Sequence, residues 1–197
     1  MFDKDLAGLA SIFLTIVATL PYMWKMLKGR MKPHIFTWVI WTLTTGIAAA
    51  ARTVAHAGPG AWTQWAGAAS CLSVVIFAYS KGEHNITRSD VFAFVAALTA
   101  IPAWLLTKDP LVATIIVTVI DLVGYYPTFR KAYYAPHHEG ILTYMIGEGS
   151  HILSLAATVD YSLTTVVFPS ALFTANAVLA IFVWWRRGCV PLLEVGK

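Results

Sequence analysis

Residues 5–26 read DLAGLASIFLTIVATLPYMWKM, a nearly unbroken apolar run. Its length matches the roughly 20 residues that an α-helix needs to cross about 30 Å of hydrocarbon. Asp3, Lys4 and Asp5 precede it in place of a basic leader, and no small-residue cleavage site follows Pro21-Tyr22-Met23-Trp24. The run is therefore expected to stay in the mature chain as a first span.

Working outward, six more apolar runs follow, at 35–56, 61–80, 90–107, 110–132, 140–159 and 163–185. Charge and turn residues separate them: Lys28 to His34, Gly58-Pro59-Gly60, Lys81 to Asp90, Lys108-Asp109-Pro110, Tyr134 to Gly140, and Asp160-Tyr161-Ser162. Of the 197 residues 58% are hydrophobic and 12% charged, where soluble domains hold about 25% charged residues. Seven spans consume nearly the whole length, so the composition predicts an all-α membrane protein with no separate soluble domain. The net charge of +4 belongs to loops between spans, which argues against nucleic acid as a partner. One side collects Lys25, Lys28, Arg30, Lys32, Lys81, Arg88, Arg130, Lys131, Arg186, Arg187 and Lys197, the other only Lys4, Arg52 and Lys108. That bias puts the N-terminus outside and the C-terminus inside, with the plasma (inner) membrane as the expected location.

Setting Pro21 over Pro127 exposes an internal register. Lys25 then falls on Lys131, Thr37 on Thr143, Trp38 on Tyr144, Ala50-Ala51 on Ala156-Ala157, Lys81 on Arg187 and Gly82 on Gly188. Spans one to three map onto spans five to seven, and span four is left as a linker. An odd number of spans per unit plus one linker gives two parallel repeats, 3+1+3. The boundaries are 1–82 for the first repeat, 83–109 for the linker and fourth helix, 110–188 for the second repeat, and 189–197 for a cytoplasmic tail.

The segments Leu20-Pro21-Tyr22-Met23-Trp24-Lys25 and Tyr126-Pro127-Thr128-Phe129-Arg130-Lys131 resemble the proline-centred signature of PQ-loop and SWEET-type proteins. Tyr22 and Thr128 stand where that signature has glutamine, and Pro33 and Pro136 fall in loops rather than inside the second helix of each repeat. The resemblance implies a seven-helix carrier. The same architecture also serves vitamin-precursor carriers of the PnuC type and the non-transporting KDEL receptors, so fold alone does not choose the function.

Pro21 and Pro127 at matched positions would bend two helices symmetrically as a gate; the plain alternative is that they shape packing. Asp121, Glu148 and His151 lie deepest in the apolar runs, where a charge costs about 2.5–3.5 kcal/mol on insertion scales. They line a cavity, or they form neutralised pairs: Glu148 with His151, or Asp121 with a hydroxyl such as its repeat mate Thr15. The resemblance makes Asn176 a substrate ligand, with Ser70 as its smaller mate. Interhelical hydrogen bonding is the other reading. Trp38 and Trp41 are one turn apart, and with Tyr144 they could stack on a sugar or heterocycle, whereas Trp62, Trp65, Trp184 and Trp185 near span ends suit an interfacial belt. His137-His138-Glu139 lacks the further ligands a metal needs. Cys71 and Cys189 give neither a disulfide framework nor a metal cluster and are expected to be inert packing residues. The sequence thus predicts no cofactor, no metal and no enzyme activity, and it leaves a homo-oligomer open. The expected partner is a small polar solute, such as a sugar, vitamin or nucleoside, with the lipid bilayer as surroundings. A ligand receptor or membrane scaffold is the alternative.

Overall fold

The computed structural model describes residues 3–29, 35–79, 86, 88–134, 136–138 and 141–190, without the side chains of 78, 89–90, 127, 130–131, 138 and 142–144. These residues form helices α1 (Lys4–Leu27), α2 (Ile35–Val54), α3 (Trp62–Ala78), α4 (Arg88–Thr107), α5 (Pro110–Gly124), α6 (Tyr126–Tyr134), α7 (Ile141–Ala156) and α8 (Leu163–Cys189). There is no strand among the described residues. Three of the helices, α1, α2 and α8, are long and apolar enough to cross a membrane; Val91–Thr107 and Pro110–Gly124 are shorter apolar helices.

Local chemistry sets the helix ends. Asp3 caps α1 by accepting from the backbone N–H groups of Asp5 and Leu6. Asp109 caps α5 through Leu111, with Pro110 at the first helical position, where its missing N–H leaves no bond unmade. Ser162 and Thr165 form a reciprocal capping box at α8. The expected span 110–132 is two helices, because the chain turns at Tyr125 and restarts as α6. Pro127 has no N–H to give to the preceding turn, which accounts for a break at this place.

Within the first half, α3 packs on both α1 and α2; within the second, α8 packs on both α5 and α7. Between the halves, α1 lies against α7 and α2 against α5, while α4 rests on α5 and α2. Small residues make these approaches close: Ala48, Ala49, Ala51, Ala100 and Ala113 are fully buried. Ile47, Ala48, Ala100, Ala113, Val117 and Phe168 form the core where α2, α4, α5 and α8 meet. Large apolar side chains point outward instead. Along α1, Leu6, Leu9, Phe13, Ile16, Leu20 and Trp24 are all exposed, a stripe at helical spacing that faces away from the protein. A water-soluble fold would turn that stripe inward. Trp65, Trp184 and Trp185 are also exposed.

Candidate functional site

One end of the bundle holds the start of α1, the turn between α2 and α3, and the turn between α7 and α8. Here Arg52, in the last turn of α2, is fully buried. Its position corrects the expectation that Arg52 belongs to a solvated loop: the helix runs to Val54 and presents the side chain inward. Arg52 Nη1 donates to Gln64 Oε1 on α3 and to Ser154 Oγ on α7 (2.8 Å), and Nη2 donates to Thr158 Oγ1 (2.9 Å). Ser154 Oγ in turn donates to Gly60 O at 2.7 Å. A side chain at Gly60 is excluded, since a Cβ there would lie 2.8 Å from both Ser154 O and Thr158 Cα. Lys4 Nζ reaches Thr158 O at 2.8 Å, and Val159 and Asp160 donate backbone N–H bonds to Ala57 O (3.0 Å) and His56 O (3.3 Å). Residues 4–61 and 154–160 are thereby tied together across the two halves.

Toward the middle of the helices the pattern changes. Asp121 is 6% exposed and stands beside the Thr44 hydroxyl. Thr15, its repeat mate, donates to Ser11 O at 2.9 Å instead, so the hydroxyl neighbour of Asp121 is Thr44. Tyr125 Oη donates to Asn176 Oδ1 at 2.8 Å. Trp41 Nε1 lies 3.7 Å from where a Gly124 Cβ would stand, and Asn176 Nδ2 3.8 Å from where a Gly147 Cβ would stand. Trp41, Thr44, Asp121, Tyr125 and Asn176 therefore occupy one level of the helices. Trp41 meets Trp38 edge to face at 5.1 Å, and Trp38 packs on Tyr22 at 4.7 Å and donates to its hydroxyl at 3.1 Å. Ser70 is half-buried, and its carbonyl accepts from Ser73 Oγ at 2.7 Å.

Among the described residues, five buried side-chain polar atoms have no hydrogen-bond partner: Arg52 Nε, Gln64 Nε2, Asp121 Oδ1, Glu148 Oε1 and His151 Nδ1. Buried polar atoms are nearly always paired, so each orphan needs a reason. Glu148 and His151 share a face of α7, yet these two atoms do not satisfy each other.

Other expectations fare differently. Pro21 lies inside α1, which runs on to Leu27, and it is exposed on the outer surface. The side chains of Pro127 and Tyr144 lie outside the described residues. Cys71 is half-buried, whereas Cys189 is exposed rather than packed; both are free thiols. His137 Nε2 meets Val190 O at 2.8 Å. A cavity of about 710 Å³ opens among α2, α3 and α4, lined by Leu43, Ile47, Leu98 and Trp104. It is apolar and holds none of the titratable groups, so it is separate from the polar site. Another, of about 650 Å³, adjoins the Arg52 network and is bordered by Asp5, His56, Trp62 and Asp160.

Sequence reasoning missed Arg52, Gln64, Ser154 and Thr158. A signal was present: 148, 151 and 154 follow helical spacing along α7, with 158 continuing it just past the helix end, and Arg52 falls on Thr158 in the register that sets Pro21 over Pro127. Comparison with protein-family models, curated proteins and solved structures finds no match to this chain.

Proposed function

We propose that the protein is a multi-pass carrier of a small polar solute, working by alternating access between two triple-helix bundles, and that it is not an enzyme. The observation that carries this reading is the contrast between the two levels of the site. Hydrogen bonds join the halves at the N-terminal end, while the unpartnered polar atoms of Asp121, Glu148 and His151, all from the second half, lie further in, where Asp121 stands beside Thr44 of the first. A carrier caught closed on one side has this distribution: a latch at the shut end, and side chains below it that await a solute.

The arrangement of helices supports the 3+1+3 reading with seven spans. In each half the third helix lies between the other two, and the first helix of each half meets the second helix of the other. Those adjacencies interchange under a two-fold operation. A PQ-loop or SWEET-type relationship fits this pattern, with the first end outside and the plasma (inner) membrane as location. The solute would stack on Trp41, hydrogen-bond Asn176, and face Asp121, Glu148 and His151.

The test is a thermal-shift screen of the purified protein against sugars, nucleosides, vitamins and amino acids, followed by flux of each hit into proteoliposomes. A bound solute raises the melting temperature by mass action. The reading expects a hit that Asn176→Ala and Trp41→Ala both weaken, and that crosses the liposome membrane. Binding without flux would replace the carrier by a ligand receptor. A hit indifferent to both substitutions would move the site elsewhere.

A further inference from the structure

Arg52 is fully buried, and each of its three partners, Gln64 Oε1, Ser154 Oγ and Thr158 Oγ1, is neutral. No carboxylate pairs with it among the described residues. A membrane-buried guanidinium with only neutral partners keeps an uncompensated charge, which membrane proteins tolerate where a counter-ion or ligand supplies the opposite sign. Around it the unused nitrogens accumulate. Arg52 Nε and Gln64 Nε2 are both buried donors without acceptors, and His151, with Nδ1 also unpartnered, stands within electrostatic reach of the guanidinium. We propose that Arg52, Gln64 and His151 receive the carboxylate of a small organic acid, which makes the solute of the proposed carrier an anion. The inference rests on the carrier reading for the word solute, but the anion site is a binding claim of its own.

The geometry favours a carboxylate over a round ion. A guanidinium edge and a primary amide are planar and present their N–H groups in forks, and the two oxygens of a carboxylate accept from such forks side by side. The site also sits at the right depth. Thr44, beside Asp121, precedes Arg52 by eight residues, roughly 12 Å along a helix. An acid with a polar or aromatic body would place its charged end under the Arg52 network and its body toward Trp41 and Asn176.

The experiment measures the melting temperature of the full-length protein in detergent at constant ionic strength. The probes are acetate, lactate and benzoate, each against its uncharged amide. At least one carboxylate is expected to stabilise the protein saturably, with its amide inert. Arg52→Gln should abolish the response. Gln64→Glu serves as the second variant, because it sets a carboxylate against the guanidinium inside the protein. It should melt higher than the wild type without ligand and ignore all three acids. Silence of all three carboxylates, an equal response to an amide, or a full response in Gln64→Glu would overturn the anion site. Counterflow in proteoliposomes separates the two claims. A carboxylate that binds while nothing crosses removes the carrier and leaves the anion site, whereas flux of a neutral solute by a protein that no carboxylate stabilises removes the anion site and leaves the carrier.

Discussion

Replacing Ser154 with Ala and Thr158 with Val together tests whether the Arg52 network is a latch or simply packing. Both changes nearly conserve volume, so the helices stay in place while three bonds across the halves disappear: Arg52 to Ser154, Arg52 to Thr158, and Ser154 to Gly60 O. Interhelical hydrogen bonds in membranes average about 0.6 kcal/mol and reach about 1.7, and bonds made by a charged group lie at the upper end. The loss is therefore about 2–4 kcal/mol from the closed state, or roughly a 30- to 700-fold shift toward opening. Cys71, near Asp121 and half-buried, reports on opening directly. In a Cys189→Ser background, a membrane-impermeant thiol reagent added from the N-terminal side should label Cys71 slowly in the parent and at least about 30-fold faster in the double variant, the lower bound of the same arithmetic. An unchanged labelling rate alongside a fallen melting temperature would refute the latch, because the bonds would then hold the fold together without controlling access.

Asp121→Asn removes a buried, unpaired carboxylate oxygen while keeping the shape, and should raise thermal stability by about 1 kcal/mol or more. The same change should weaken solute binding, as expected where a site keeps a destabilising group for use; a variant that melts lower and binds normally would assign Asp121 to structure. Gly60→Val should cost about 1–3 kcal/mol by overpacking, since the neighbours at 2.8 Å are Ser154 O and Thr158 Cα, which belong to the backbone. Its thermal unfolding should show that loss, and a neutral result would mean that the two turns separate freely.

The helices were legible because outward-facing and packing surfaces are both apolar, so six of the seven expected runs reappear as single helices with ends shifted by a few residues, while 110–132 is split in two. Tyr125 shows the limit: the apolar pattern continues through it, and only the backbone rule for Pro127 marks the break. Asp121 and Asn176 were legible as polar residues deep in apolar runs, and the structure places both on one level with Trp41. Arg52 was not, for a physical reason. A charged residue near the end of a span looks the same whether its side chain extends to water or turns inward, and the direction depends on Gln64 and Thr158, 12 and 106 residues away. Pro21 shows the converse: position within a span says nothing about which face a residue occupies, and Pro21 faces outward.

The bond between Arg52 and Thr158 has an implication for ancestry. In the proposed repeat these two residues hold the same place in their respective halves, so the bond joins equivalent points across the pseudo-two-fold axis. Two identical copies related by such an axis could not make it, for arginine would meet arginine there, or threonine would meet threonine. The first pairing repels, and the second leaves the centre without charge. If the chain descends from a symmetric pair of half-length subunits, this contact arose only after fusion allowed one half to change without the other.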